Sequence, residues 1–261
     1  MSQNEPIEIS SPVDLLYLCM DKYKDSKFIL TNDIDLSTLS FRIFSVINIS
    51  PPFGVFEGHL DGQNYTIKGL QASSEYDSIS AGFFNVNNGT IENINFQDVK
   101  IEGNNRAGSV VGENHGKISN CSVSGDIYSD QYCGGITGIN YKSGRIKNCV
   151  SYGNLSSSKS CGGIVGMNHG VIKNCFSRGQ LTDVPTLSTL FFGGITGNNV
   201  GGIVSMCASK SEIDIVNHGL DKIVGGIVGK NESEVNSSYF TGEIPSTEQS
   251  GLVIGLNMGN V

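Results

Sequence analysis

Gly162-Gly163-Ile164-Val165-Gly166-Met167-Asn168 is one of seven versions of a single pattern, and the fold follows from how regularly it returns. The openings are Ala81-Gly82-Phe83-Phe84-Asn85, Gly108-Ser109-Val110-Val111-Gly112, Gly134-Gly135-Ile136-Thr137-Gly138, the one quoted, Gly193-Gly194-Ile195-Thr196-Gly197, Gly225-Gly226-Ile227-Val228-Gly229 and Gly251-Leu252-Val253-Ile254-Gly255. They are spaced by 27, 26, 28, 31, 32 and 26 residues. An asparagine stands two residues after every opening: Asn87, Asn114, Asn140, Asn168, Asn199, Asn231 and Asn257. A second short strand follows, as in Ile118-Ser119-Asn120-Cys121 and Ile172-Lys173-Asn174-Cys175. A third closes the coil, as in Gly153-Asn154-Leu155 and Gly179-Gln180-Leu181.

Three short strands per period cannot bury an apolar face alone, but stacked coils can, each strand pairing with its equivalent one coil away. The pattern therefore predicts an all-β chain: a right-handed parallel β-helix, a three-sided solenoid of the pectin-lyase type. An aligned asparagine column lets side-chain amides bond along the stack. An antiparallel sandwich with coincidental glycine turns would not repeat the same asparagine seven times. Composition agrees, with 34 Gly in 261 residues, about twice ordinary usage, and only 16% charged residues.

The openings resemble the GLUG motif family. The upstream runs Leu30-Thr31-Asn32-Asp33-Ile34-Asp35-Leu36 and Phe56-Glu57-Gly58-His59-Leu60-Asp61-Gly62-Gln63-Asn64-Tyr65-Thr66-Ile67 resemble the segment that precedes such repeats. The resemblance covers roughly residues 7–261. It implies a β-helical repeat fold like that of bacterial surface adhesins and of the non-catalytic N-terminal region of immunoglobulin A-specific metallopeptidases. One continuous domain is expected: residues 1–26 as a cap, 27–80 as irregular first coils, and 81–261 as regular repeats. Ser11-Pro12-Val13-Asp14 reads as the start of a short capping helix. Val13, Leu15, Leu16, Leu18 and Cys19 would lay its apolar face on the first coil. At the other end, Val261 aligns with Ile172, so the final coil is expected to be bare and open to an end-on contact.

The residues that could carry chemistry fall into the same columns. Cys121, Cys149, Cys175 and Cys207 occupy a position where another coil has Ile94, which marks a buried slot. Cys133 and Cys161 form a second column of opposite parity to Ile136 and Ile164, expected at a corner or outside, where a disulfide is conceivable on stacking distance. His115 and His169 share a column two coils apart, too far to hold one metal ion together. Asp33, Asp35 and Asp61 are the residues a carbohydrate-active enzyme would use, but their Asn-Asp and Asp-Gly contexts read as turns. No catalytic residue, metal or cofactor is expected.

Two surfaces are candidates for binding. Lys117 and Arg145 share one column and Lys147 and Lys173 another, a basic stripe suited to an anionic glycan. Two coils also carry a five-residue insertion at one corner. Leu155 to Cys161 is six residues, whereas Leu181 to Phe192 and Ile213 to Val224 are eleven. Val184, Leu187, Leu190, Phe191, Ile215, Val216 and Leu220 would there form an apolar corner for a protein partner.

The net charge of −8 argues against nucleic-acid binding, and no apolar run is long enough to insert in a membrane. The polar first residues and the unpaired cysteines suggest an intracellular, reducing location; a surface or secreted location is the alternative if an export signal has been removed. The function expected is that of a non-catalytic scaffold in a larger assembly. An exported adhesin passenger, a glycan-binding domain and a polysaccharide lyase or hydrolase are the alternatives.

Overall fold

The computed structural model describes residues 5–37, 53–74, 80–186, 188–216, 221–245 and 249–261. Every strand pair it contains is parallel, and each strand bonds to its equivalents in neighbouring coils. One coil illustrates the rest. After Gly162 the chain bends at Gly163-Ile164 and runs through Val165–Asn168, then Val171–Lys173, then Phe176–Ser177 and Gln180–Asp183, and returns at Leu190–Gly193. These positions stack into four ladders, named 1 to 4 in that order. Among the described residues they hold 8, 9, 12 and 7 strands.

The three strands expected of each coil are present, and ladder 4 is added to them. It exists because the Gly-Gly pair is not within one strand: its first glycine ends ladder 4, and the bend follows before ladder 1 begins. That bend resets side-chain alternation. Cys133 and Cys161, expected at a corner or outside, are instead fully buried on ladder 4, facing the same interior as Ile136 and Ile164. Parity counted across the bend failed because strand periodicity holds only within a continuous strand.

The interior is a set of apolar files. Ile91, Ile118, Ile146, Ile172, Val204 and Val235 form one along ladder 2, each less than 2% exposed. Ile127, Leu155, Leu181 and Ile213 form another along ladder 3. Burying such side chains contributes about 1.5–3 kcal/mol each, and stacking like on like keeps the files free of steps. Ladder 2 begins with Ile7–Ile9 against Lys27–Leu30 and runs to Glu234–Asn236, so the irregular first coils share sheets with the regular ones.

The cap follows Ile7–Ile9 as a helix over Pro12–Cys19, with Ser11 as N-cap and Pro12 at its first position. It is a 3₁₀ helix, so residues three apart lie on one face. Leu15 and Leu18 are therefore the ones buried, while Val13, expected on the apolar face, is 62% exposed. Asp14 fastens the start. Its carboxylate accepts bonds from the backbone N–H of Ser10 and Ser11, at 3.0 and 2.9 Å, and from their hydroxyls, at 3.0 and 2.8 Å. Partial burial works against the charge, but these four donors outweigh it and hold the Asp14 pKa below the ordinary value.

A turn, where the sequence pattern suggests a continuous strand, joins ladders 2 and 3. Asn93, Asn120, Asn148 and Asn174 each adopt a left-handed backbone, with φ of 53–56°. The strand before each ends one residue earlier, at Glu92, Ser119, Lys147 and Lys173. Asparagine tolerates this conformation better than most side chains. The later coils keep the backbone without the residue: Met206 has φ 55° and Ser237 φ 48°. Met206 is half exposed and has little packing to lose. Met206→Asn is expected to stabilise the fold by about 1 kcal/mol, read as a higher denaturant midpoint at unchanged slope. An unchanged or lower midpoint would refute the strain argument.

Candidate binding face

The seven-membered asparagine column lies inside ladder 1. Six side-chain bonds join its members in sequence, Asn87 to Asn114 to Asn140 to Asn168 to Asn199 to Asn231 to Asn257, each at 2.8 or 2.9 Å. In every one the amide N–H of one coil donates to the amide oxygen of the next. All but Asn257 are fully buried. The remaining valences reach the local turn: the Asn168 amide donates to the Gly170 carbonyl at 3.2 Å, and its oxygen accepts from the Gly170 N–H at 3.2 Å. The column is architecture, since its six buried members present no polar group outward.

The other residues with chemical potential are similarly engaged. Cys121, Cys149, Cys175 and Cys207 are buried thiols, donating to the carbonyls of Ser119, Lys147, Lys173 and Ser205 at 3.3–3.4 Å. Burial pushes the Cys161 and Cys175 thiols well above their ordinary pKa. All seven cysteines are unpaired, Cys133 and Cys161 included, although these two stand opposite each other in the ladder. Asp33 accepts from the Thr66 N–H at 2.7 Å, and Asp35 from the Ser37 N–H at 2.8 Å. Asp61 accepts from the Gln63 N–H at 3.0 Å and the Asn93 amide at 2.8 Å. His59 meets Glu92 at 2.8 Å. His115 and His169 sandwich Tyr141: the ring centroids are 4.2 Å apart on one side and 6.3 Å on the other, with planes 8° and 19° from parallel. That tyrosine, missed in the sequence, fills the coil between the two histidines.

The insertion corner divides. Leu190 and Ile215 are core residues, 2% and 8% exposed. Phe191 is half-buried with the Lys230 ammonium 5.7 Å from its ring centroid. Val184 is half-buried and Val216 is 57% exposed. Leu187 and Leu220 lie outside the described residues. The two insertions also bond to each other, the Val216 N–H to Asp183 at 2.9 Å and the Leu190 N–H to the Asp221 carbonyl at 3.1 Å. Of the five described residues of the expected apolar patch, two are thus turned into the core.

The basic stripe is where sequence placed it. Lys117 pairs in register with Arg145, and Lys147 with Lys173. All four are exposed on the outer side of ladder 2, because Ile118, Ile146 and Ile172 between them point in. One Arg145 nitrogen donates to the carbonyls of Lys142, Ser143 and Gly144 at 3.0–3.1 Å, which fixes the turn before it.

Repeated parallel coils with an internal amide column define this chain as a β-solenoid repeat protein. It carries the GLUG motif, which is matched over residues 103–128. The immunoglobulin A1 protease of Streptococcus pneumoniae strain R6 is 26% identical over 205 residues, which are 76% of this chain and 9% of that protein. Halomucin of Haloquadratum walsbyi is 35% identical over 85 residues, 32% of this chain and 1% of that protein. The chain therefore spans less than a tenth of the length of either relative. A Bacteroides ovatus protein, described from its crystal structure as a candidate immunoglobulin A1 protease, shares the fold. It superposes with a TM-score of 0.75 at 22% identity, covering 100% of this chain and 85% of that one. Among the described residues, no helix is long and apolar enough to cross a membrane.

Proposed function

We propose that this chain is a non-catalytic scaffold module whose outer faces bind partners within a larger assembly. One observation carries the reading: the acids and histidines that an enzyme of this fold would use are committed to holding turns and neighbouring coils. Asp33, Asp35 and Asp61 close their own turns or tie one coil to the next. His59, His115 and His169 are held by Glu92 and Tyr141. A general acid or base must be free to reach a substrate proton, and these groups are turned to structural partners. Similarity to a short stretch of much longer proteins also supports a modular role.

The reading is tested by incubating the chain with pectin, alginate and glycosaminoglycans, with and without calcium, and following new reducing ends. No cleavage is expected. Turnover that Asp33→Ala or Asp61→Ala abolishes would replace the scaffold reading with an enzymatic one.

A further inference from the structure

We propose that the outer side of ladder 2 is a binding site for an acidic polysaccharide, a linear chain of uronic acid or sulfated sugars lying along the solenoid axis. Three independent features coincide on the same three coils. The first is charge. Lys117, Arg145, Lys147 and Lys173 are exposed, and among the described residues none has an acidic partner within ion-pair distance. The stripe is unbroken only over these coils; Lys27, in the same column, is set apart from it by His59 and Thr90. In register with it, Glu92 lies one coil before and Glu234 two coils beyond the coil of Lys173.

The second feature is a polar rail. Asn120, Asn148 and Asn174 follow the cationic columns directly and are linked along the stack, Asn148 donating to Asn120 and Asn174 to Asn148 at 2.9 and 2.8 Å. Each left-handed turn holds its amide at the surface, where remaining donor and acceptor capacity suits sugar hydroxyls. The third is the ring stack of His115, Tyr141 and His169, which runs along the opposite border of the same columns. The face thus carries a stripe of cations between an amide rail and an aromatic rail.

Stacked cations one coil apart, about 4.8 Å, repel one another, and an anionic ligand relieves this. The chain as a whole is at −8, so the attraction is local to this face. A nucleic acid fits poorly. Its continuous phosphates need a wider basic footprint and would meet the surrounding negative charge. An acidic glycan has charges separated by neutral rings and hydroxyls, which matches cations bordered by amides.

The inference rests on the non-catalytic module reading, and the experiment separates the two. Fluorescent oligosaccharides of polygalacturonate and of heparin are titrated with the full chain, with neutral dextran and duplex DNA as controls. At least one acidic oligosaccharide is expected to bind while dextran does not, and its affinity to fall as salt rises. The triple variant Lys117→Gln, Lys147→Gln, Lys173→Gln leaves the Arg145 turn intact; it should retain wild-type circular dichroism and lose about a hundredfold in affinity, since several cationic contacts are removed together. Asn148→Gly with Asn174→Gly keeps the left-handed turns and should weaken the acidic glycan several-fold without changing the salt slope. Absence of acidic glycan binding overturns the proposal, as does wild-type affinity in the folded triple variant. DNA bound as tightly as the glycan and weakened equally by the triple variant also overturns it, because the face is then a general cation exchanger. Binding followed by cleavage would end the non-catalytic reading and leave the site standing; no binding ends the site and leaves that reading standing.

Discussion

Replacing Asn168 by Leu is expected to destabilise the protein by about 4 kcal/mol. The side chain sits at the middle of the buried column, accepting from Asn140 and donating to Asn199. Leucine can do neither. The Asn140 amide then loses its acceptor and the Asn199 oxygen its donor, both at fully buried positions. An orphaned buried polar group costs about 1–3 kcal/mol, and the substitution creates these two and also leaves the buried Gly170 N–H without its acceptor. There is no room for compensating burial, because Gly202 lies against the Asn168 amide. The loss should appear as a lower denaturant midpoint. Asn257→Leu, at the exposed member of the column, should cost much less. Equal effects at the two positions would mean that the amides are solvated and that the column does not hold the coils together.

Parts of this architecture were legible in the sequence for one reason: a stack writes each of its files as a repeated residue. The asparagine column, the isoleucine file and the Cys121 file could be read down the repeats because every member occupies one environment. The basic stripe was legible on the same ground, since positions 117, 145, 147 and 173 each flank a member of the isoleucine file, which sets their register. What failed was geometry that repeats do not encode. Cys133 and Cys161 were given the wrong side because the Gly-Gly bend breaks alternation. Val13 was placed on the apolar helix face, but a 3₁₀ helix stacks residues three apart, which buries Leu15 and Leu18 and leaves Val13 out. Leu190 and Ile215 were assigned to a surface corner because an insertion shows its length in sequence but not its direction, and part of these two folds back into the core. The aromatic stack was half visible. His115 and His169 show as a column, but the ring between them is a tyrosine, so the stack does not repeat one residue type.

The second glycine of the pair has a reason of its own, and Gly163→Ala tests it. A Cβ at Gly163 would lie 2.6 Å from the Cβ of Ser177, 2.7 Å from its hydroxyl, and inside contact distance of the Gly194 carbonyl oxygen. The first is a side chain from the far wall of the same coil; the last is backbone of the next coil, which cannot shift without opening the ladder. The same crowding recurs at Gly135 against Ser151 and at Gly194 against Ser209, so the glycine file and the serine file are complementary across the interior. Overpacking a tight interior costs about 1–3 kcal/mol, and contact with both a wall and a backbone puts Gly163→Ala at the upper end, about 3 kcal/mol. Ser109 shows where the rule relaxes: it occupies the equivalent position one opening after Gly82, and its buried hydroxyl has no hydrogen-bond partner among the described residues. Ser109→Ala should therefore be neutral or slightly stabilising. Combining Gly163→Ala with Ser177→Gly removes the wall but not the carbonyl, and should cost about 1 kcal/mol less than the sum of the two single changes. Strictly additive losses would place the whole clash on the Gly194 carbonyl and remove the serine file from the account. A Gly163→Ala variant as stable as the wild type would show that neighbouring coils can separate freely, and that glycine recurs here for backbone conformation rather than for space.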